Sequence, residues 1–331
     1  MEPPKGITNL GNTCFLNSCM QILFQIHELD NIDCAVKHVP ETRVFQEWVN
    51  WKKSLFNPNI QTISPVSFIQ TIHQIAQQKN RILFTGYAQN DLPEFLLFFI
   101  DSLHIYLQRP MHVQIEGHIG SSMDQLALQS YSMLKETYEK EYSEIMDVFY
   151  GVMVSSLLST HPPSTQLESK SESFFILDLP IVGNNIYECL DKYVQPELLE
   201  NENAWYNEKT QQKEPVFKKI SFWNFPKILV ISFKRFSQNE NTISKKMDPI
   251  QFPLENLDIS KYVCGYNAQS YKYDLFGVCN HIGGVMGGHY TAFVKTRECN
   301  WYHCNDQSVE KITDPQQMIT PMAYTLFYRK K

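Results

Sequence analysis

The sequence predicts an α+β fold, with a helical N-terminal part leading into a strand-rich remainder. Three observations predict it. Apolar residues recur at helical spacing through the first third of the chain, and beyond about residue 149 the pattern turns to short runs of β-branched and aromatic residues bounded by Pro, Gly or Asn. The third is composition: 331 residues, 43% hydrophobic and 19% charged, with no Gly/Ser linker, low-complexity run or internal repeat, so a large core is within reach. No composition break divides the chain, and residues 1–331 are expected to form one domain, mainly helical over about 1–148 and built of interleaved strand lobes over about 149–331.

The elements follow in order. Asn9, Gly11, Asn12 and Thr13 form turns and caps, and the apolar run Phe15, Leu16, Ile22, Leu23 and Ile26 that follows has helical length. Amphipathic helices are expected over 43–55 and 66–78, and a well-marked one over 92–107. There Asp91 reads as an N-cap, Glu94 as its capping-box partner, and Pro93 sits in the first turn, where its missing N–H costs little. The acidic and aromatic stretch 135–150 reads as a solvated helix face, with a partner surface as the alternative. Strands are expected over 174–181, 227–236, 271–279, 289–295 and 323–329.

Residue chemistry then narrows the function. Cys14 falls at the start of the first helix, where unpaired N–H groups and the helix dipole favour an anion, so its thiol is expected to ionise below the usual value of roughly 8.5. On that segment alone a buried structural thiol is an equal reading. Far downstream, His289 follows the glycine pairs Gly283-Gly284 and Gly287-Gly288, which read as a mobile loop feeding a strand; a histidine there is a candidate general base. Asn305 and Asp306 come next, and either is suited to hold the imidazole in one tautomer. Cys, His, then Asn or Asp in chain order is the papain-type arrangement.

Five blocks, GITNLGNTCFLNS, YAQNDLPEF, FPKILVISFKRFS, GGHYTAFVK with WYHCND, and AYTLFYRK, together resemble the ubiquitin-specific protease family, cysteine deubiquitinases of papain-like fold. The resemblance spans nearly the whole chain. It implies a helical thumb, a β-sheet palm and an extended β-finger lobe, with Cys14 as nucleophile, His289 as base, Asn305 orienting it and Asp306 as the second candidate. It also implies that Asn9 donates its side-chain amide to the oxyanion, although asparagine there also suits a plain turn. Many relatives carry two C-x-x-C pairs at the fingertip. Here those places read as Ser159 with Pro162 and Asn207 with Thr210, so a finger without metal is expected, and His161 and Glu208 nearby read as surface residues. The eight cysteines, at 14, 19, 34, 189, 264, 279, 299 and 304, show no C-x-x-C spacing and read as free thiols.

The implied reaction is hydrolysis of the bond after ubiquitin's C-terminal glycine, with no metal or organic cofactor. For an extended basic tail, Asp91 and Glu94 are the expected acidic contacts and Tyr290 an expected packing surface; the alternatives are a helix cap and a core aromatic. A net charge of −6 agrees with a basic ligand and argues against nucleic acid. The start MEPPKGITN lacks a signal-peptide pattern, and the longest apolar stretch, 95–107, is too short for a bilayer, so a soluble, intracellular protein, cytoplasmic with the nucleus as the alternative, acting as a monomer on ubiquitin and ubiquitinated proteins is expected. The rival readings are a pseudoenzyme that binds ubiquitin and a protease for another ubiquitin-like modifier. The segment 282–288 is glycine-rich enough to occlude an empty cleft.

Overall fold

The computed structural model describes residues 3–30, 32, 37–55, 57–81, 84, 90–239, 242–284 and 287–331. Cys34, the Tyr87, Ala88 and Gln89 of the YAQNDLPEF block, and residues 285 and 286 lie outside the described residues.

The helical part opens with a short strand, β1 (Gly6–Ile7), and α1 (Cys14–Leu23), every residue of which is buried. α2 (Thr42–Leu55) turns Val44, Trp48 and Trp51 inward at spacings of four and three, one face of a helix. β2 (Thr62–Ile63) pairs in parallel with β1, and α3 (Val66–Gln78) buries Phe68, Ile69, Ile72 and Ile75. α4 (Leu92–Leu107) starts where expected: the Asp91 carboxylate accepts the Glu94 N–H at 3.2 Å, and Pro93 lies in the first turn. Aromatic rings lock these helices together, Phe24 stacking on Trp48 with centroids 5.2 Å apart, Trp51 on Phe68 at 4.7 Å, and Trp48 meeting Phe99 at 5.6 Å. α5 (Ser122–Glu141) is capped by Ser121 and buries only Ala127 and Ser130, so most of it is a solvated face; α6 (Glu144–Phe149) follows. The aromatic residues of 135–150 are partly committed internally, because the Tyr142 and Tyr138 hydroxyls both donate to Asp147.

Among the described residues the strand part has two large sheets and two separate two-stranded hairpins. β3 (Gly151–Ser159), β4 (Gln166–Phe174), β6 (Glu197–Leu199) and β9 (Val216–Asn224) make a four-stranded finger sheet in the order β4-β3-β9-β6. β5 (Ile176–Pro180) and α7 (Ile186–Val194) come between them in sequence, and β7 (Trp205–Asn207) with β8 (Gln212–Glu214) forms a separate hairpin. The palm adds β10 (Ile228–Lys234), the hairpin β11 (Phe236–Asn239) and β12 (Thr242–Lys245), β13 (Leu257–Asp258), β14 (Lys272–Gly284), β15 (Gly287–Lys295), β16 (Trp301–Asn305), β17 (Ser308–Ile312) and β18 (Ala323–Lys330). Its order is β17-β16-β15-β14-β18-β10-β5, with β13 alongside β14. β10 reads ILVISFK and its first six residues are all buried, the near-continuous apolar run of a strand covered on both faces.

α1 lies across this sheet. A Cβ on Gly277 of β14 would stand 2.7 Å from Ile22, so glycine lets the helix sit directly on the strand. Residues of α1, α2, α3 and α4 share one hydrophobic cluster with Cys279, Ala292 and Val294 of the palm. The start of α1 is thereby held over the strands that carry the histidine.

The segment 282–288 differs from its expectation. Its described residues, 282–284 and 287–288, are the paired end of a hairpin, with Ile282 opposite His289, Gly283 opposite Gly288 and Gly284 opposite Gly287. Glycine is a poor strand former on propensity alone, but β14 and β15 are long neighbours and their ladder carries the register through it.

At the fingertip, no group of three or more His, Cys, Asp or Glu able to hold a metal ion occurs among the described residues. A carboxylate organises the spot instead. Asn207 Nδ2 donates to both oxygens of Glu214 at 3.1 Å, and the Thr210 hydroxyl donates to the same group at 2.5 Å. Glu214→Ala is therefore expected to speed amide exchange across 205–215 and leave the palm strands unchanged; equal exchange in both proteins would show that the hairpin is held by something else.

Candidate active site

Cys14 begins a helix because the residues before it make a turn that cannot continue as one. Gly11 and Asn12 have φ of 100° and 53°. Asn9 Oδ1 accepts the N–H groups of Gly11 (2.9 Å) and Thr13 (3.3 Å) and the Thr13 hydroxyl (3.2 Å), while Thr13 Oγ1 accepts the Leu10 N–H at 3.0 Å. Asn9 is thus a turn former through its oxygen. Its nitrogen points elsewhere, donating to Asp306 Oδ2 at 2.9 Å.

His289 stands half-buried near the start of β15, and Asn305 is the last residue of the neighbouring β16. The His289 Nε2–H donates to Asn305 Oδ1 at 2.7 Å. An amide oxygen only accepts, so Nε2 carries a proton and, in the neutral ring, Nδ1 keeps the lone pair. Asp306, the second candidate for that task, is engaged differently. It turns the chain between β16 and β17 at φ 50°, its backbone carbonyl accepts the Ile7 N–H at 2.8 Å, and its carboxylate is gripped by Asn9 and by Asn17 Nδ2 at 2.7 Å. The structure therefore gives the imidazole to Asn305 and ties Asp306 to the chain around Cys14.

The thiol and the histidine strand meet. α1, which begins with Cys14, packs against the histidine strand β15, and the Tyr290 backbone N–H next to His289 is among the groups that favour the Cys14 thiolate. Only 3% of Cys14 is exposed, and burial pushes its thiol up from the ordinary value. The N–H groups of Tyr290, Phe15 and Cys14 pull it down, the Asp306 charge raises it further, and burial wins. The expectation of a lowered value is corrected here: the helix terminus is present, but desolvation of a thiolate outweighs it.

Tyr290 also departs from its expected place. Its ring is 7% exposed and lies inside the core 4.8 Å from the His281 ring. What it offers the cleft is backbone. Asp91 and Glu94 lie together at the head of α4, Asp91 accepting the Tyr324 hydroxyl at 2.6 Å. Burial raises both carboxyls, and for Glu94 the neighbouring Asp91 charge adds to it.

Asn17 and Tyr324 escaped the sequence reading. Asn17 left a signal, being a polar residue three positions after Cys14 in an apolar helix and 1% exposed. Tyr324 left none, since one more aromatic in a buried strand is ordinary. The seven described cysteines are all unbridged. No helix among the described residues is long and apolar enough to cross a membrane. A thiol, an imidazole of fixed tautomer and amide donors beside them can support nucleophilic acyl transfer.

A model of the ubiquitin carboxyl-terminal hydrolase family matches residues 5–328. Ubiquitin carboxyl-terminal hydrolase 2 of Rattus norvegicus is 31% identical over 341 residues, covering 98% of this chain and 53% of its own; that of Bos taurus is 30% identical, covering 98% and 54%. The chain spans about half the length of these curated relatives. Among solved structures, the SAGA DUB module with Ubp8 bound to monoubiquitin superposes with a TM-score of 0.77 at 23% identity, over 100% of this chain and 71% of that one, a likeness of fold.

Proposed function

Because the chain belongs to the ubiquitin carboxyl-terminal hydrolase family, we propose that it is a thiol-dependent deubiquitinase that cleaves the bond after the C-terminal glycine of ubiquitin. One observation carries this reading: the His289–Asn305 hydrogen bond joins the two strands against which the helix beginning at Cys14 packs, drawing nucleophile, base and orienting amide from opposite ends of the sequence.

In this reading His289 Nδ1 takes the proton of Cys14 and the thiolate attacks the glycine carbonyl. The raised thiol pKa makes that transfer part of the reaction, because the resting thiol is neutral at pH 7. The Cys14 N–H and the Asn9 hydrogen not given to Asp306 receive the oxyanion, each donor worth about 3 kcal/mol. The imidazolium protonates the departing lysine amine, and water activated by the same histidine then hydrolyses the thioester. Asp91 and Glu94 provide negative charge for the basic tail. Ubiquitin and ubiquitinated proteins are the proposed partners, residues 1–331 one catalytic domain, and a reducing intracellular compartment its place.

Ubiquitin bearing a fluorogenic amide at its C-terminus tests the proposal. Turnover by the purified chain that a ubiquitin vinyl sulfone abolishes by labelling Cys14 is the expected result. A chain that neither turns over the amide nor reacts with the sulfone would overturn it.

A further inference from the structure

A lysine outside the expected site grips the strand that faces His289. Lys245 ends β12, and its ammonium donates to the His281 carbonyl at 2.6 Å, the Gly283 carbonyl at 3.0 Å and His281 Nδ1 at 2.9 Å. An ammonium has only hydrogens to give, so Nδ1 accepts and the imidazole is neutral, its proton on Nε2. Burial, with the Lys245 charge second, pushes His281 down to about 4, in keeping with that role.

The three acceptors belong to the end of β14, where His281 pairs with Tyr290, Ile282 with His289 and Gly283 with Gly288. The His281 ring is wedged against the opposite strand. A Cβ on Gly288 would lie 2.2 Å from His281 Nε2 and 2.6 Å from the Ile282 carbonyl, so the residue before His289 has room for no side chain at all. Tyr290, Phe236 and Tyr324 close around the imidazole with ring centroids 4.8, 5.4 and 6.0 Å away. Lys245 is itself fixed from behind. Arg235, 1% exposed, donates to the carbonyls of Ala323 (2.7 Å), Lys246 (3.0 Å) and Asp248 (3.1 Å), riveting the base of the β11–β12 hairpin to β18.

We propose that Lys245 is a positioning residue for the reaction: it clamps the β11–β12 hairpin onto the end of β14 and, through His281 and Gly288, holds His289 in its place on β15. Lys245 is not a catalytic residue, since its ammonium is spent on the strand partnering His289. The inference rests on the proposed activity only for its kinetic readout; the clamp itself is open to a measurement that needs no ubiquitin.

Three proteins decide it: the wild type, Lys245→Met, which keeps the stem and removes the donors, and Lys245→Arg, which restores donors to the carbonyls. In Lys245→Met, amide exchange over 281–284 and 287–290 is expected to quicken with no change in α2 or α3. The kcat for the ubiquitin amide should fall about 10- to 100-fold, the loss of a misplaced catalytic group, with KM within about twofold. Lys245→Arg is expected to recover most of kcat. Wild-type exchange and kcat in Lys245→Met would overturn the inference, as would a loss that arginine fails to recover. If the wild type itself proves inert toward ubiquitin, that failure belongs to the proposed function, and the exchange comparison still decides the clamp.

Discussion

Cys14→Ala is expected to lower turnover of the ubiquitin amide about a million-fold, and His289→Ala to do nearly as much, because a nucleophile and its base act as one unit. The physical state of the thiol sharpens this. Burial keeps Cys14 protonated at rest, and without His289 its described neighbours are poor acceptors for its proton: Asn305 and Asn9 are amides, and the carboxylate of Asp306 is committed to Asn9 and Asn17. The double variant should therefore be no worse than either single one. Initial rates with the amide measure this, and strictly multiplicative losses would show that the two residues do not work together. Cys14→Ala should still bind ubiquitin, since the change removes one sulfur from a buried site and none of the cleft's charges.

The second large effect separates two neighbours that sequence could not rank. Asn305→Ala is expected to cost about a thousand- to ten-thousand-fold in kcat, since the imidazole loses the acceptor that fixes its proton on Nε2. Asn305→Asp, which keeps an acceptor in place, should retain much of the activity. Asp306→Asn should act differently, through the chain around Cys14. It removes a negative charge that raises the thiol, so the pH midpoint for alkylation of Cys14 by iodoacetamide should move down. The sign is fixed: a nearby anion disfavours a thiolate, and neutralising it favours one. Should Asp306→Asn abolish turnover while Asn305→Ala leaves it intact, Asp306 would be the orienting residue and the arrangement described here would be wrong.

Much of the fold was legible in local pattern. The helix over 92–107 was marked at its start by Asp91 and Pro93, a cap and a first-turn proline whose effects are local and independent of packing. The strand over 227–236 was marked by a run of β-branched and aromatic residues after Pro226, and it lies at Ile228–Lys234. The glycine-rich segment was misread for an equally physical reason. Glycine's own propensity favours a loop, whereas its register is carried by the long flanking strands β14 and β15, each of which is held by a further neighbour in the palm sheet. The finger sheet was only partly visible, because its exposed strands, such as Gln166–Phe174, alternate weakly and take their pairing from neighbours.

The candidate site divides in the same way. Residue types, their order along the chain and the turn before Cys14 are properties of the sequence, and they name Cys14, His289 and the Asn305–Asp306 pair. Tertiary structure decided which of that pair meets the imidazole, that the ring of Tyr290 turns into the core, that Asn17 and Tyr324 join the network, and that Cys14 is raised and not lowered. Each of these depends on how separate strands and helices come together, for Asn17 with Asp306 and Tyr324 with Asp91 across more than two hundred residues, and on how much water is excluded there. A helix terminus can be read from a dozen residues, but the desolvation that overrides it comes from α1 lying against β14 and β15.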